Sequence, residues 1–119
     1  MTVSRADRNA GRVDLTDVID LEAEPVGPIH PGYMLHVDFM EPLGLSVYAL
    51  ARALSVPRTR LNEIVNERRS VTADTALRLS RHFGTSADFW MGLQAQYDLE
   101  VAHRDLGERL MLEVAPRAA

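Results

Sequence analysis

From Pro31 onward the chain is punctuated as a series of short helices: Pro31, Ser46, Pro57, Thr72 and Ser86 are each followed by an apolar stripe at helical spacing. Pro31 suits a first helical turn, where a missing N–H leaves nothing unpaired, and Met34, Leu35, Val37, Phe39 and Met40 carry that helix to a stop at Pro42-Leu43-Gly44. Ser46 can accept the free amides of a second helix through Leu50, Ala51 and Leu54. Pro57 starts a third, with Leu61, Ile64 and Val65 on one buried face, ending near Asn66. Thr72 caps a fourth, with Asp74 in its first turn, Ala76, Leu79 and Phe83 on one face, and Gly84 as its stop. Ser86 caps a fifth, which carries Asp88, Phe89, Trp90, Leu93, Tyr97 and Val101 to about Arg104. After residue 30 no run alternates with period two, so the spacing predicts an all-α, five-helix fold. Phe89, Met34, Met40, Met91 and Met111 are expected in the core.

Around these helices the chain divides in three. Residues 1–28 hold few large apolar side chains and end in Pro25, Gly27 and Pro28, which predicts an acidic, flexible N-terminal arm. Residues 29–104 form the helical domain, and residues 105–119 a C-terminal helical extension interrupted by Gly107, with a tail.

The net charge of −4 argues against a nucleic-acid partner until it is counted by segment. Residues 1–30 carry −3, residues 31–45 carry −2, residues 46–82 carry +4, and residues 83–119 carry −3. A basic middle between acidic ends is the asymmetry expected of a nucleic-acid patch on an acidic protein. All thirteen basic residues are arginine.

Other function classes are excluded or weakened. A chain of 119 residues with 46% hydrophobic and 25% charged residues is one globular domain with tails, with no room for a second catalytic domain. Cysteine is absent, which removes disulfides, thiolate metal sites and cysteine nucleophiles together. His30, His36, His82 and His103 lack metal-ligand spacing, and Gly32, Gly44, Gly84 and Gly107 stand singly rather than in a phosphate loop. Neither enzyme activity nor a cofactor or metal is expected. No run reaches the ~18 apolar residues of a membrane span, and MTVSRADRNAGRVD lacks the apolar core of a signal peptide, so a cytoplasmic location without a membrane partner is expected.

The second and third helices, joined by Ser55-Val56-Pro57 with small Ala51 at the crossing, match a helix-turn-helix. In that geometry the second helix of the motif lies in the DNA major groove. Its polar face offers Arg58, Thr59, Arg60, Asn62 and Glu63 to base edges: arginine suits guanine, asparagine adenine, glutamate the cytosine amine, and a threonine methyl thymine. Asn66, Arg68 and Arg69 in the following loop, and Ser46 ahead of the motif, are placed for phosphates. Two half-sites require a dimer, and Trp90, Leu93, Tyr97 and Val101 form an apolar stripe on the fifth helix suited to that contact.

Residues 30–102 resemble the HigA/VapI-type antitoxins of the xenobiotic-response-element (Cro/C1-type, lambda-repressor-like) helix-turn-helix family. The resemblance is carried by His30-Pro31-Gly32, Glu41-Pro42-Leu43-Gly44-Leu45-Ser46, Arg60-Leu61-Asn62-Glu63-Ile64-Val65-Asn66, Thr72-Ala73-Asp74-Thr75-Ala76-Leu77-Arg78-Leu79, Phe89-Trp90 and Tyr97-Asp98-Leu99. It implies an antitoxin that binds a small RelE-like (HigB-type) mRNA endonuclease and, as a homodimer on double-stranded operator DNA, represses its own operon. Two positions depart from the family pattern. Val47-Tyr48 stands where a glutamine is usual after the capping serine, and Glu67 replaces the usual glycine of the loop after the recognition helix.

A toxin that grips mRNA is basic, so the acidic arm is a suitable electrostatic partner, with Asp17, Val18, Ile19, Asp20, Leu21 and Glu22 as candidate contacts. The residues themselves leave two alternatives: a stand-alone repressor without a toxin, and an interaction module that has lost DNA binding.

Overall fold

In a computed structural model, which describes residues 27–118, His30 sets the start of the first helix. Its Nδ1 accepts a hydrogen bond from the Gly32 amide at 2.9 Å, closing the N-terminus of α1 (Pro31–Met34). The helix continues without a break through a π-helical turn (Leu35–Met40) into α2 (Glu41–Leu43). In the widened register the amide of Glu41 bonds to the His36 carbonyl five residues back. That turn lies directly ahead of Pro42, whose ring and missing N–H an ordinary helix interior does not tolerate. Gly44, at φ 67°, ends the run in the left-handed conformation.

Next come α3 (Val47–Leu54), α4 (Arg58–Val65), α5 (Ala73–Phe83) and α6 (Ala87–Leu106). Ser46 Oγ accepts from the Ala49 amide and Ser86 Oγ from the Phe89 amide, each at 3.0 Å, so both serines cap as their positions predict. Thr72 does not. It occupies the boundary of α5 in an extended conformation, but its side chain makes no capping hydrogen bond. Gly84 (φ 78°) ends α5, and Gly107 (φ 52°) separates α6 from a short α7 (Arg109–Glu113). The described residues contain no strand, in agreement with the all-α expectation, with α7 added to the five expected helices.

The core is built from the π-helical turn and from α3, α4, α5 and α6. Leu35, Met40, Leu50, Ala51, Leu54, Leu61, Ile64, Val71, Ala76, Leu79 and Trp90 are buried. Trp90 is 0% exposed and donates its indole N–H to Thr85 Oγ1 at 2.8 Å. Phe39 packs between Trp90 and Phe83, with ring centroids 5.0 Å from each. Two readings are corrected here. Phe89 lies at the margin and Trp90 inside, because the apolar face of α6 is centred one residue further on than expected. Of the four methionines expected inside, only Met40 is fully buried; Met111 is 81% exposed on α7.

Gly32 permits the tightest helix approach. A Cβ there would stand 1.7 Å from the Ile64 carbonyl oxygen, so only a bare Cα lets α1 lie against α4.

Candidate nucleic-acid interface

The helix-turn-helix is α3, the turn Ser55-Val56-Pro57, and α4. Ser55 takes a left-handed conformation (φ 56°), and the Val56 amide bonds back to the Ala51 carbonyl at 3.1 Å, so the chain reverses tightly over a buried alanine. Leu61 and Ile64 anchor α4 in the core and leave its other face to solvent.

Of the five side chains expected on that face, Arg58, Thr59 and Asn62 are exposed. Arg60 and Glu63 are half-buried and already engaged. Arg60 Nη1 donates to Asp74 Oδ2 at 2.7 Å, and Arg69 Nε donates to Glu63 Oε1 at 2.7 Å. Asp74 also accepts from Arg78 Nε at 3.1 Å. These hydrogen bonds, Arg60 first and then Arg78, hold the Asp74 carboxyl below the usual carboxylate range. Arg78 reaches further, donating to the Leu54 carbonyl at 3.0 Å and so satisfying the C-terminus of α3.

The loop after α4 is fixed from both sides. The Arg68 amide bonds to the Glu63 carbonyl at 2.7 Å, and Asn66 donates its side-chain amide to the Asn62 carbonyl at 2.8 Å. At its far end the Val71 amide donates to Oε1 of Gln94 at 2.7 Å, while Gln94 Nε2 donates to Asp98 at 2.9 Å. Gln94 is a buried residue of α6, and it sets where Arg68 and Arg69 emerge. Arg68, Arg69 and Asn66 are all exposed, as is Ser46 at the opposite end of the motif. The arrangement presents guanidinium, amide and hydroxyl groups along one face, which suits a polyanion carrying hydrogen-bonding edges.

His30 lies behind this face, 3% exposed, with its ring edge-on to Tyr97 at 4.8 Å. Burial pushes its pKa below the ordinary imidazole value, while the carboxylates of Glu67 and Asp98 oppose that shift.

The stripe expected to meet a second copy is largely used inside the chain. Trp90 belongs to the core and cannot serve a partner, while Leu93, Tyr97 and Val101 are half-buried. Further along, Leu99 on α6 and Leu110, Met111 and Leu112 on α7 are exposed. Asp17, Val18, Ile19, Asp20, Leu21 and Glu22 fall outside the described residues.

Residues 38–90 match the helix-turn-helix domain family. Over 77 residues the chain is 53% identical to virulence-associated protein I of Dichelobacter nodosus, covering 65% of this chain and 71% of that protein. Its fold aligns with the structure of the Pseudomonas aeruginosa antitoxin HigA with the higBA promoter at a TM-score of 0.74 and 45% identity, over 76% of this chain and 99% of that one. The chain belongs to the HigA/VapI-type family of helix-turn-helix antitoxins. It is also 40% identical over 72 residues to the uncharacterized HTH-type transcriptional regulator YbaQ of Escherichia coli K12, covering 60% of this chain and 64% of that protein.

Both departures from the HigA/VapI pattern have a local physical account. Glu67 sits at φ 63°, the left-handed conformation for which glycine is the ordinary choice, and its carboxylate is exposed. Tyr48, half exposed on α3, has Arg52 and Arg58 over its ring at 5.8 and 5.7 Å. Arg52, Tyr48, Arg78 and Gln94 were not among the sequence-expected site residues. Only the Tyr48–Arg52 spacing of four residues gave a signal that could have found a pair.

Proposed function

We propose that the chain is an antitoxin that represses its own operon by binding operator DNA as a homodimer, and that it neutralises a RelE-like mRNA endonuclease. The observation that carries the DNA reading is the exposed face of α4, with Arg58, Thr59 and Asn62 unobstructed and Arg60 and Glu63 beside them. Placed in the major groove, these side chains read base edges. Ser46, Asn66, Arg68 and Arg69 flank them and hold phosphates. The mechanism is binding alone, with no chemical step.

Leu93, Tyr97 and Val101, half-buried along one face of α6, form the surface through which two copies join. The acidic segment Asp17–Glu22 is the contact for a basic toxin, supported by the −3 charge of residues 1–30. A second reading, a repressor without a toxin, is favoured by the likeness to a protein named only as a transcriptional regulator.

Two experiments test this. Titration of the chain's own promoter should show tight, strongly salt-dependent binding; Asn62→Ala should cost about 1–3 kcal/mol and flatten the sequence preference, while Arg68→Ala should weaken all sequences equally and lower the salt slope by about one unit. Co-expression with the adjacent reading frame should capture a small basic protein and restore growth that it otherwise arrests. A non-toxic neighbour that is not captured would leave the repressor reading in place and remove the antitoxin one.

A further inference from the structure

Tyr48 brings together two arginines from different helices. Arg52 lies one turn along α3 from it, and Arg58 is the first residue of α4. Both Cζ atoms are within 6 Å of the ring centroid, at 5.8 and 5.7 Å, the range in which an aromatic face attracts a cation. Among the described residues no carboxylate pairs with either guanidinium, in contrast to Arg60, Arg69 and Arg78. The positive charge of both is therefore available to an outside anion, and the ring itself is 54% exposed beside them.

We propose that Arg52 grips a phosphate of the DNA backbone at the rim of the major groove, and that the Tyr48 ring holds both Arg52 and the base-reading Arg58 in place. Arg52 is the added phosphate contact, and Tyr48 is the positioning residue that holds both guanidinium groups. The inference rests on the DNA-binding reading above. In a docked helix-turn-helix the first helix crosses the backbone while the second enters the groove, so Arg52, in the last turn of α3 and beside the first residue of α4, is placed at the phosphates between them. The ring restricts two flexible side chains before the anion arrives, so less rotamer freedom is lost on binding. A tyrosine thereby replaces the family's single neutral amide with two ordered charges.

The test is a fluorescence-anisotropy titration of the full chain against its own promoter duplex and a scrambled duplex, at about 50 and 200 mM salt. Arg52→Gln should weaken both duplexes by the same factor, about fivefold to tenfold at the lower salt, and reduce the salt slope by about one unit. Tyr48→Leu should weaken both by about threefold to tenfold, while Tyr48→Phe, which keeps the ring, should stay within about twofold of the parent. Melting temperatures should be unchanged throughout, because none of the three side chains is in the core.

The proposal is overturned if the parent binds its promoter in a salt-dependent way but Arg52→Gln keeps both affinity and slope. A loss confined to the promoter duplex would make Arg52 a base reader and also refute it, and a fall with Tyr48→Phe as large as with Tyr48→Leu would refute the positioning role. If the parent binds neither duplex, the DNA reading fails and the proposal with it.

Discussion

Adding one methyl group at Gly32 and one at Gly92 should change stability in opposite directions. Gly32 lies where α1 crosses α4, and a Cβ there would meet the Ile64 carbonyl oxygen at 1.7 Å and its carbon at 2.6 Å, against an ordinary contact of 3.4 Å or more. Backbone cannot swing aside as a side-chain end can, so the helices must part by about 1.7 Å, the difference between 1.7 and 3.4 Å. Overpacking of this kind costs about 1–3 kcal/mol, and separation also loosens Leu35 and Ile64 in the core. Gly92, inside α6, has nothing within 4 Å of its added Cβ, and there alanine gains about 0.5–1 kcal/mol of helix propensity. At about 4–8 °C per kcal/mol for a domain of this size, Gly32→Ala should melt about 8–16 °C lower, for a cost near 2 kcal/mol. Gly92→Ala should melt about 2–8 °C higher. Thermal unfolding followed by circular dichroism at 222 nm, with urea titration as a check on cooperativity, measures both. A Gly32→Ala protein that melts at or above the parent temperature would refute the close-approach argument.

Other positions give smaller, equally directional effects. Glu67→Gly should raise stability by about 0.5–1 kcal/mol, the left-handed strain relieved less the extra freedom of glycine in the unfolded chain, and should tighten DNA binding at low salt by removing a carboxylate from that face. Unfolding by urea and a DNA titration check the two parts separately. Gln94→Leu leaves the buried Val71 amide without its acceptor and should cost about 1–3 kcal/mol, with faster amide exchange at Val71 as its local signature. Stability should also fall as the pH drops below about 6.5, because the unfolded chain takes up a proton on His30 before the folded one, whose pKa is lowered by burial. A urea-midpoint profile across pH 5–8 that is no flatter for His30→Asn, which keeps a capping acceptor, would sink that assignment.

What could be read from the sequence was whatever local backbone chemistry decides. Ser46 and Ser86 cap because a hydroxyl three residues ahead of a free amide has one good partner, and Gly44 and Gly84 stop helices because only glycine takes φ near 70° without strain. What could not be read depends on partners distant in the chain. Periodicity put Phe89 inside and Trp90 on a shared surface, and the reversal turns on the crossing angle of α6 against Phe39 and Phe83, which no local pattern records. Gln94 reads like any exposed polar residue until its donor, the Val71 amide 23 residues back, is visible. On the site itself, residue type identifies α4 as the polar helix but cannot show that Arg60 and Glu63 are held by Asp74 and Arg69, or that Arg58 lies over Tyr48, while Thr59 and Asn62 are exposed.

The pairing of Arg60 with Asp74 and of Arg69 with Glu63 bears on how the chain behaves among nucleic acids it is not meant to bind. Non-specific association with DNA is driven mainly by mobile salt ions escaping into bulk solution when fixed cations neutralise phosphates. An arginine paired with a carboxylate of the same chain is neutral as a unit, so it displaces the duplex's cations only if that pair opens and leaves the carboxylate charge behind. The two paired arginines therefore add little to random sticking, and they exchange partners only where a duplex meets the whole surface at once. On the DNA-binding reading proposed above, a tethered counterion of this kind would lower background occupancy along a chromosome while leaving the charge in place for the one site whose shape recovers it.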